Sequence, residues 1–314
     1  MLHQITRRVL FAIPTVLIVS FLVFSMIRFL PGDIAVAKLG EAYTEEAAQR
    51  IRAEYGLDKP WPQQYITYLA DVLRGDLGTA ESGQPVLSEI RSRFPVTFEL
   101  AMLAVFFSAL IGIPLGVLSA IRQDTPLDYI GRSGAIIGLA VPGFVLATLL
   151  QSFFSIQWGI NIASVRYHSF SSDPLGNLGQ MWIPALLLSL GTGAQVMRMT
   201  RAMMLEVQRQ DYIRTATAKG LRERVVLLRH ALRNALMPVV TIFGLQMAFL
   251  IGGTVIFESI FSLPGMGRYL IEAVTRRDYA VVQGITLIFA TGVVLINLLV
   301  DLSYTFLDPR TRAG

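Results

Sequence analysis

Long stretches without a single charged residue dominate this chain. Val9–Ile27, Leu100–Ile121, Asn234–Phe257 and Tyr279–Val300 are four of them, each between 19 and 24 residues long. Two more lie one each within Ser133–Val165 and Pro174–Met197. A helix rises about 1.5 Å per residue, so roughly 20 residues cross a hydrocarbon core about 30 Å thick. The runs therefore predict an all-α membrane protein with six transmembrane helices. Composition agrees: 53% of the 314 residues are hydrophobic and 16% charged, whereas soluble domains run near 25% charged.

Basic residues sort by side once the spans are set. The N-terminus, the 122–132 loop, the 198–233 segment and the tail hold 15 of the 27 Lys/Arg, and the short opposite loops, 157–182 and 258–283, hold 4. Positive residues collect on the cytoplasmic side, and long exported segments are exempt, so the 31–95 stretch is discounted. Both termini are expected in the cytoplasm. The first apolar run is longer than a signal-peptide core, and Arg28-Phe29-Leu30-Pro31 has no small-residue cleavage site, so it reads as a retained span.

Several chemistries are excluded. Without cysteine there is no disulfide, thiolate metal site or cysteine nucleophile. His3, His168 and His230 are scattered, which disfavours a metal centre. None of the three lysines, Lys38, Lys59 and Lys219, stands in a Gly-Lys-Ser/Thr sequence, so no P-loop exists. If ATP drives this protein, another chain binds it. The positive charge follows the membrane sidedness, which argues against a nucleic-acid partner.

The chain divides into an N-terminal tail and first span (1–30), an extracytoplasmic helical segment (31–95), a five-helix core (96–308) and a cytoplasmic tail (309–314). In the second part Thr44 is placed to cap a helix over Glu45–Tyr55, with Gly56 at its end. Pro60-Trp61-Pro62 breaks the chain, and Tyr65, Leu69, Val72 and Leu73 then share a helical face. Small residues recur every four positions in Ser108, Gly112, Gly116 and Ala120, in Gly134 and Gly138, and in Gly244, Ala248 and Gly252. Such ladders let helices approach closely in lipid. Polar residues inside spans are functional candidates: Gln246, Asn297 and Gln151 either line a pathway or bond between helices. Asp301 is expected to pair with Arg198 or Arg201. Spans two, three and five lack acids, which disfavours an ion-driven secondary transporter, the alternative class; no internal repeat supports it either.

The most basic segment, Arg198–Arg233, decides the reading. Asp211 is expected to cap a short helix over Tyr212–Lys219, and Gly220 to end it in the left-handed conformation. Thr215, Ala216 and Ala218 keep part of its surface low enough to nest in a groove. A second helical run starts at Leu221. An ordinary basic loop is the plain alternative.

Asp211-Tyr-Ile-Arg-Thr-Ala216, Ala218-Lys-Gly220 and His230-Ala-Leu-Arg-Asn-Ala235 before Pro238 resemble the cytoplasmic "EAA" loop of bacterial ABC importer permeases. Arg214 stands where the general pattern has Glu and Arg233 where a Pro follows, departures that fit the peptide/nickel branch. Leu30-Pro31-Gly32-Asp33, Gly56-Leu57-Asp58 with Pro60, Gly75-Asp76-Leu77-Gly78, Phe261-Ser-Leu-Pro264-Gly-Met-Gly267-Arg268 and Arg277-Asp278-Tyr279 with Gln283 resemble that branch too, most closely its first permease, the dipeptide-permease B type. The resemblance implies an inner-membrane subunit without cofactor or enzymatic activity of its own, forming half of a pathway for peptides or related solutes. It implies a second permease, two cytoplasmic ATPases that bind ATP and Mg, and an extracytoplasmic solute-binding protein. It makes Asp211, Tyr212, Thr215, Ala216, Ala218, Lys219, Gly220 and Leu221 the contact with the ATPases. Dipeptides, longer peptides, glutathione, nickel chelates and some oligosaccharides remain open as substrates.

Overall fold

The computed structural model describes residues 2–29, 39, 43–54, 58–163 and 167–307. Within them the fold is helical, with one isolated bridge, Thr79 to Pro85, and no strand. In chain order come α1 (Leu2–Phe29), α2 (Glu45–Glu54), α3 (Trp61–Leu73), α4 (Val86–Ile121), α5 (Pro126–Ala140), α6 (Gly143–Trp158), α7 (Pro174–Gln208) and α8 (Asp211–Ala218). A single turn over Glu223–Val225 and a π-helix over Val226–Leu232 lead into α9 (Arg233–Ile260), followed by α10 (Met266–Arg276) and α11 (Tyr279–Leu307). Gly56, the Leu30–Asp33 motif and the tail lie outside the described residues.

Among the described residues four helical stretches are long and apolar enough to cross a bilayer alone: Thr6–Met26, Val86–Ile121, Glu223–Leu250 and Tyr279–Leu302. α5 and α6, bent by 89° at their junction, make a fifth when taken together. The bend falls at Pro142, which lacks an N–H and forces Val141 into an extended conformation. The sixth expected span coincides with α7, which has 35 residues but falls short in apolarity. The reason is position. α7 packs against α4, α5, α6 and α9, and a helix sheathed by protein needs little lipid-compatible surface.

The α4–α7 contact is the spine of the bundle. Ser108, Gly112, Gly116 and Ala120 are all buried on α4. A Cβ on Gly112 would lie 2.7 Å from the Gly193 carbonyl, and one on Gly116 would lie 2.6 Å from the Met197 carbonyl. Only hydrogen at these positions permits that approach. The segment after α1 has the expected cap: Thr44 Oγ1 accepts from the Ala47 N–H at 3.2 Å. The Tyr65 hydroxyl donates to the Leu17 carbonyl of α1 at 3.0 Å. Leu73 departs from the expected face and is exposed at the end of α3.

Two expectations about charge are corrected. Asp301 pairs with Arg8 (3.4 Å), and Arg201 with Asp128 (2.7 Å), because α11 packs on α1 while α5 covers α7. The helices also run past the apolar runs, bringing Glu99 into α4, Asp128 into α5 and Glu258 into α9.

Candidate functional site

The short helix in the basic segment exists: α8 spans Asp211–Ala218. Its cap residue is Gln210, in an extended conformation with no side-chain cap bond. Asp211 therefore sits one position inside, still favourable to the helix dipole, where it pairs with Arg214 across 3.6 Å of exposed surface. Gly220 adopts φ +75°, and its N–H donates to the Thr217 carbonyl at 2.9 Å. An L side chain at that φ is strained.

α8 has two faces. Ile213 and Ala216 are buried in an apolar cluster with Ala120 of α4, Met204 of α7, Val226 and Ala231 of the π-helix, and Ala235 of α9. Ala216 thus faces inward, not along the outer surface where the sequence placed it, since it falls one helical turn from Ile213. Tyr212, Thr215, Ala218, Lys219, Gly220 and Leu221 are exposed. The run after Leu221 is not a plain α-helix; its seven-residue π-helix carries His230.

The three intramembrane candidates lie on three different helices. Gln246 on α9 is buried; its Nε2 donates to the Thr192 carbonyl at 3.0 Å, and its Oε1 accepts from Ser108 Oγ at 3.4 Å. It joins α9, α7 and α4. Gln151 on α6 is half-buried, and Asn297 on α11 is exposed.

Three polar clusters escaped the sequence. Arg201 Nε and Nη2 bond Asp128 Oδ1 and Oδ2 at 2.8 and 2.7 Å, Arg201 Nε reaches Ser119 Oγ at 3.1 Å, and the Ser119 hydroxyl donates to Asp128. Asn177, fully buried, donates from Nδ2 to Glu99 (3.3 Å), to the Tyr167 hydroxyl (3.3 Å) and to the His168 carbonyl (2.9 Å). Burial, aided by the nearby Glu99 carboxylate, pushes the Tyr167 phenol up to about 12. Glu258 accepts from the Thr97 hydroxyl at 2.7 Å and from the Arg268 N–H at 2.9 Å. Arg201 and Asp128 are 73 positions apart, beyond any local pattern; the usable signal was a lone acid in the first turn after Pro126. Among the described residues no group of three or more His, Asp or Glu is placed to hold a metal.

Residues 112–313 match the family described as binding-protein-dependent transport system inner membrane component, and residues 1–101 match its N-terminal counterpart. The chain belongs to this permease family. It is 41% identical to the dipeptide transport system permease protein DppB of Escherichia coli, with 99% of each chain covered. It is 41% identical to the glutathione transport system permease protein GsiC of Pectobacterium atrosepticum, again over 99% of both. Identity reaches 44% with a putative peptide transport system permease of Brucella abortus, over 98% of both. Among solved structures, an inward-facing MetNI methionine ABC transporter aligns with TM-score 0.56 at 18% identity, covering 70% of this chain and 96% of the other. An amino acid ABC transporter structure aligns with TM-score 0.53 at 18% identity, covering 76% and 98%. At such identities these two support the fold alone. As a member of the permease family the chain is an inner-membrane component of an ABC transport system, and the family is a transport permease rather than an ATPase.

Proposed function

We propose that the permease imports peptides or closely related solutes, as half of a pathway completed by a second permease, with six spans and both termini in the cytoplasm. Two ATPases holding ATP and Mg grip α8, and an extracytoplasmic solute-binding protein delivers the cargo. α7 supplies the sixth span, sheathed by its neighbours. The observation that carries this reading is the two-faced α8: Ile213 and Ala216 join an apolar cluster with residues of α4, α7, the π-helix and α9, while Tyr212, Thr215, Ala218, Lys219 and Leu221 face outward. A helix so anchored passes a push to α4, α7 and α9 together. The relatives' names support the peptide class. Asn297 and Gln151 are the pathway candidates, and Gln246 serves as a bond between helices.

The cysteine-free chain permits a direct test. In the assembled importer Thr215→Cys is expected to cross-link to an ATPase subunit, and Ile213→Cys, buried, is not. Absence of the Thr215→Cys product would remove α8 as the coupling element.

A further inference from the structure

Ion pairs removed from water gain little stability. Desolvation offsets their attraction, and well-packed apolar replacements are often as stable. Asp128 is nonetheless fully buried and Arg201 largely so, in a two-pronged contact completed by Ser119. Their position suggests a use. Met204 follows Arg201 by one turn on α7, and Ala120 follows Ser119 on α4; both belong to the apolar cluster that holds Ile213 and Ala216 of α8. The polar layer therefore rests on the apolar layer that seats α8.

Asp128 stands in the first turn of α5. α5 packs on α7 and α4, so it is reached from α8 through them. Along α5 an apolar groove of about 430 Å³ opens between it, α4 and α7, with Ile111, Leu115, Ile130, Gly134, Leu190 and Gly193 among its lining residues. Ala135 touches Ala194 and Met197 beside it, but small apolar contacts slide. A bidentate arginine–carboxylate contact is directional. α5 also meets α6 at an 89° bend, a place about which it can pivot.

We infer that the Asp128–Arg201 pair is the link through which displacement of α8 reaches α5, making both positioning residues for transport. This rests on α8 being the coupling element. The test uses the complete importer with nitroxides on Ile136→Cys of α5 and Leu295→Cys of α11, both exposed positions. Distances between them are measured without nucleotide and with ATP trapped. In the parent protein ATP is expected to shift the distance. The apolar pair D128L/R201M is expected to assemble and lose the shift, while Thr215→Cys on the same background still cross-links to the ATPase. R201K, which keeps the charge, is expected to retain part of the shift. A full-size shift in D128L/R201M, or none in the parent, overturns the link. If the double variant fails to assemble, D128N is read the same way, and a full-size shift there is equally fatal. A missing cross-link in the parent instead defeats the reading of α8 itself.

Discussion

The Tyr212 hydroxyl accepts a hydrogen bond of 2.9 Å from Asn234 Nδ2, which also donates to the His230 carbonyl at 2.8 Å. The first turn of α8 is thereby tied to the first turn of α9, across the π-helix that separates them in sequence. Tyr212→Phe and Asn234→Ala each remove that tie. At an exposed site the loss is about 1 kcal/mol or less. The double variant is expected to cost no more than Asn234→Ala, which already loses both the shared bond to Tyr212 and the one to His230. Thermal melting of the purified complex checks the stability. Uptake per ATP hydrolysed should fall in each variant if the tie carries force.

Gly220 makes a sharper test of the same region. Its φ is +75°, and no heavy atom lies within 4 Å of the point where a Cβ would stand, so a side chain there is strained without being crowded. Gly220→Val should cost about 1–2 kcal/mol at this backbone conformation, and Gly220→Asn less. Transport is expected to drop for Val and largely survive for Asn, with affinity for the binding protein unchanged in both. Wild-type uptake by Gly220→Val would count against coupling through α8.

Much of the fold was legible because lipid imposes a simple rule on composition. Val9–Ile27 and Tyr279–Val300 announced α1 and α11, and the Ser108–Ala120 ladder named the face that meets α7. α8 was legible from Asp211 at its start and Gly220 at its end. What failed was what depends on a distant neighbour. The direction of Ala216 follows from the cluster beneath it, and the partner of Arg201 from how α5 lies on α7. Helix ends beyond the uncharged runs hid Glu99 and Glu258, since a charge tolerated by buried partners looks in sequence like the end of a span.

Two glycines on α4 and one on α5 separate packing from mere flexibility. A methyl group on Gly112 or Gly116 meets backbone oxygen within 2.7 Å, whereas one on Gly134 meets nothing within 4 Å. Gly112→Ala and Gly116→Ala are expected to destabilise by about 1–3 kcal/mol or more, since the clash is with backbone, and Gly134→Ala to be neutral. The yield of folded, monodisperse complex in detergent reads this directly.

Gln246→Leu tests the assignment of polar residues within the bilayer. Loss of its bonds to Thr192 and Ser108 should lower stability by about 1 kcal/mol while leaving the range of accepted solutes as it was. Asn297→Leu and Gln151→Leu should leave stability nearly unchanged and alter uptake. A changed substrate range in Gln246→Leu would move that residue to the pathway.

Glu258 closes the turn between α9 and α10, and its replacement should be the most damaging of these changes. Its carboxylate is fully buried and takes the Thr97 hydroxyl on one oxygen and the Arg268 N–H on the other. Thr97 Oγ1 accepts in turn from the Met266 N–H at 2.8 Å, so one acid organises both α4 and the first turn of α10. The donors around it have no water to turn to. Glu258→Ala leaves them orphaned at a cost on the order of 3 kcal/mol. Glu258→Gln keeps the volume but aims its NH₂ at donors on one side, so it should fall between Ala and wild type. Thr97→Val should lose about 1–3 kcal/mol, and Thr97→Val with Glu258→Ala less than the sum of the two. Melting of the detergent-purified complex measures all four, and a Glu258→Ala protein that melts with the wild type would show that the turn is held by its apolar neighbours Phe261, Leu263 and Met266 alone.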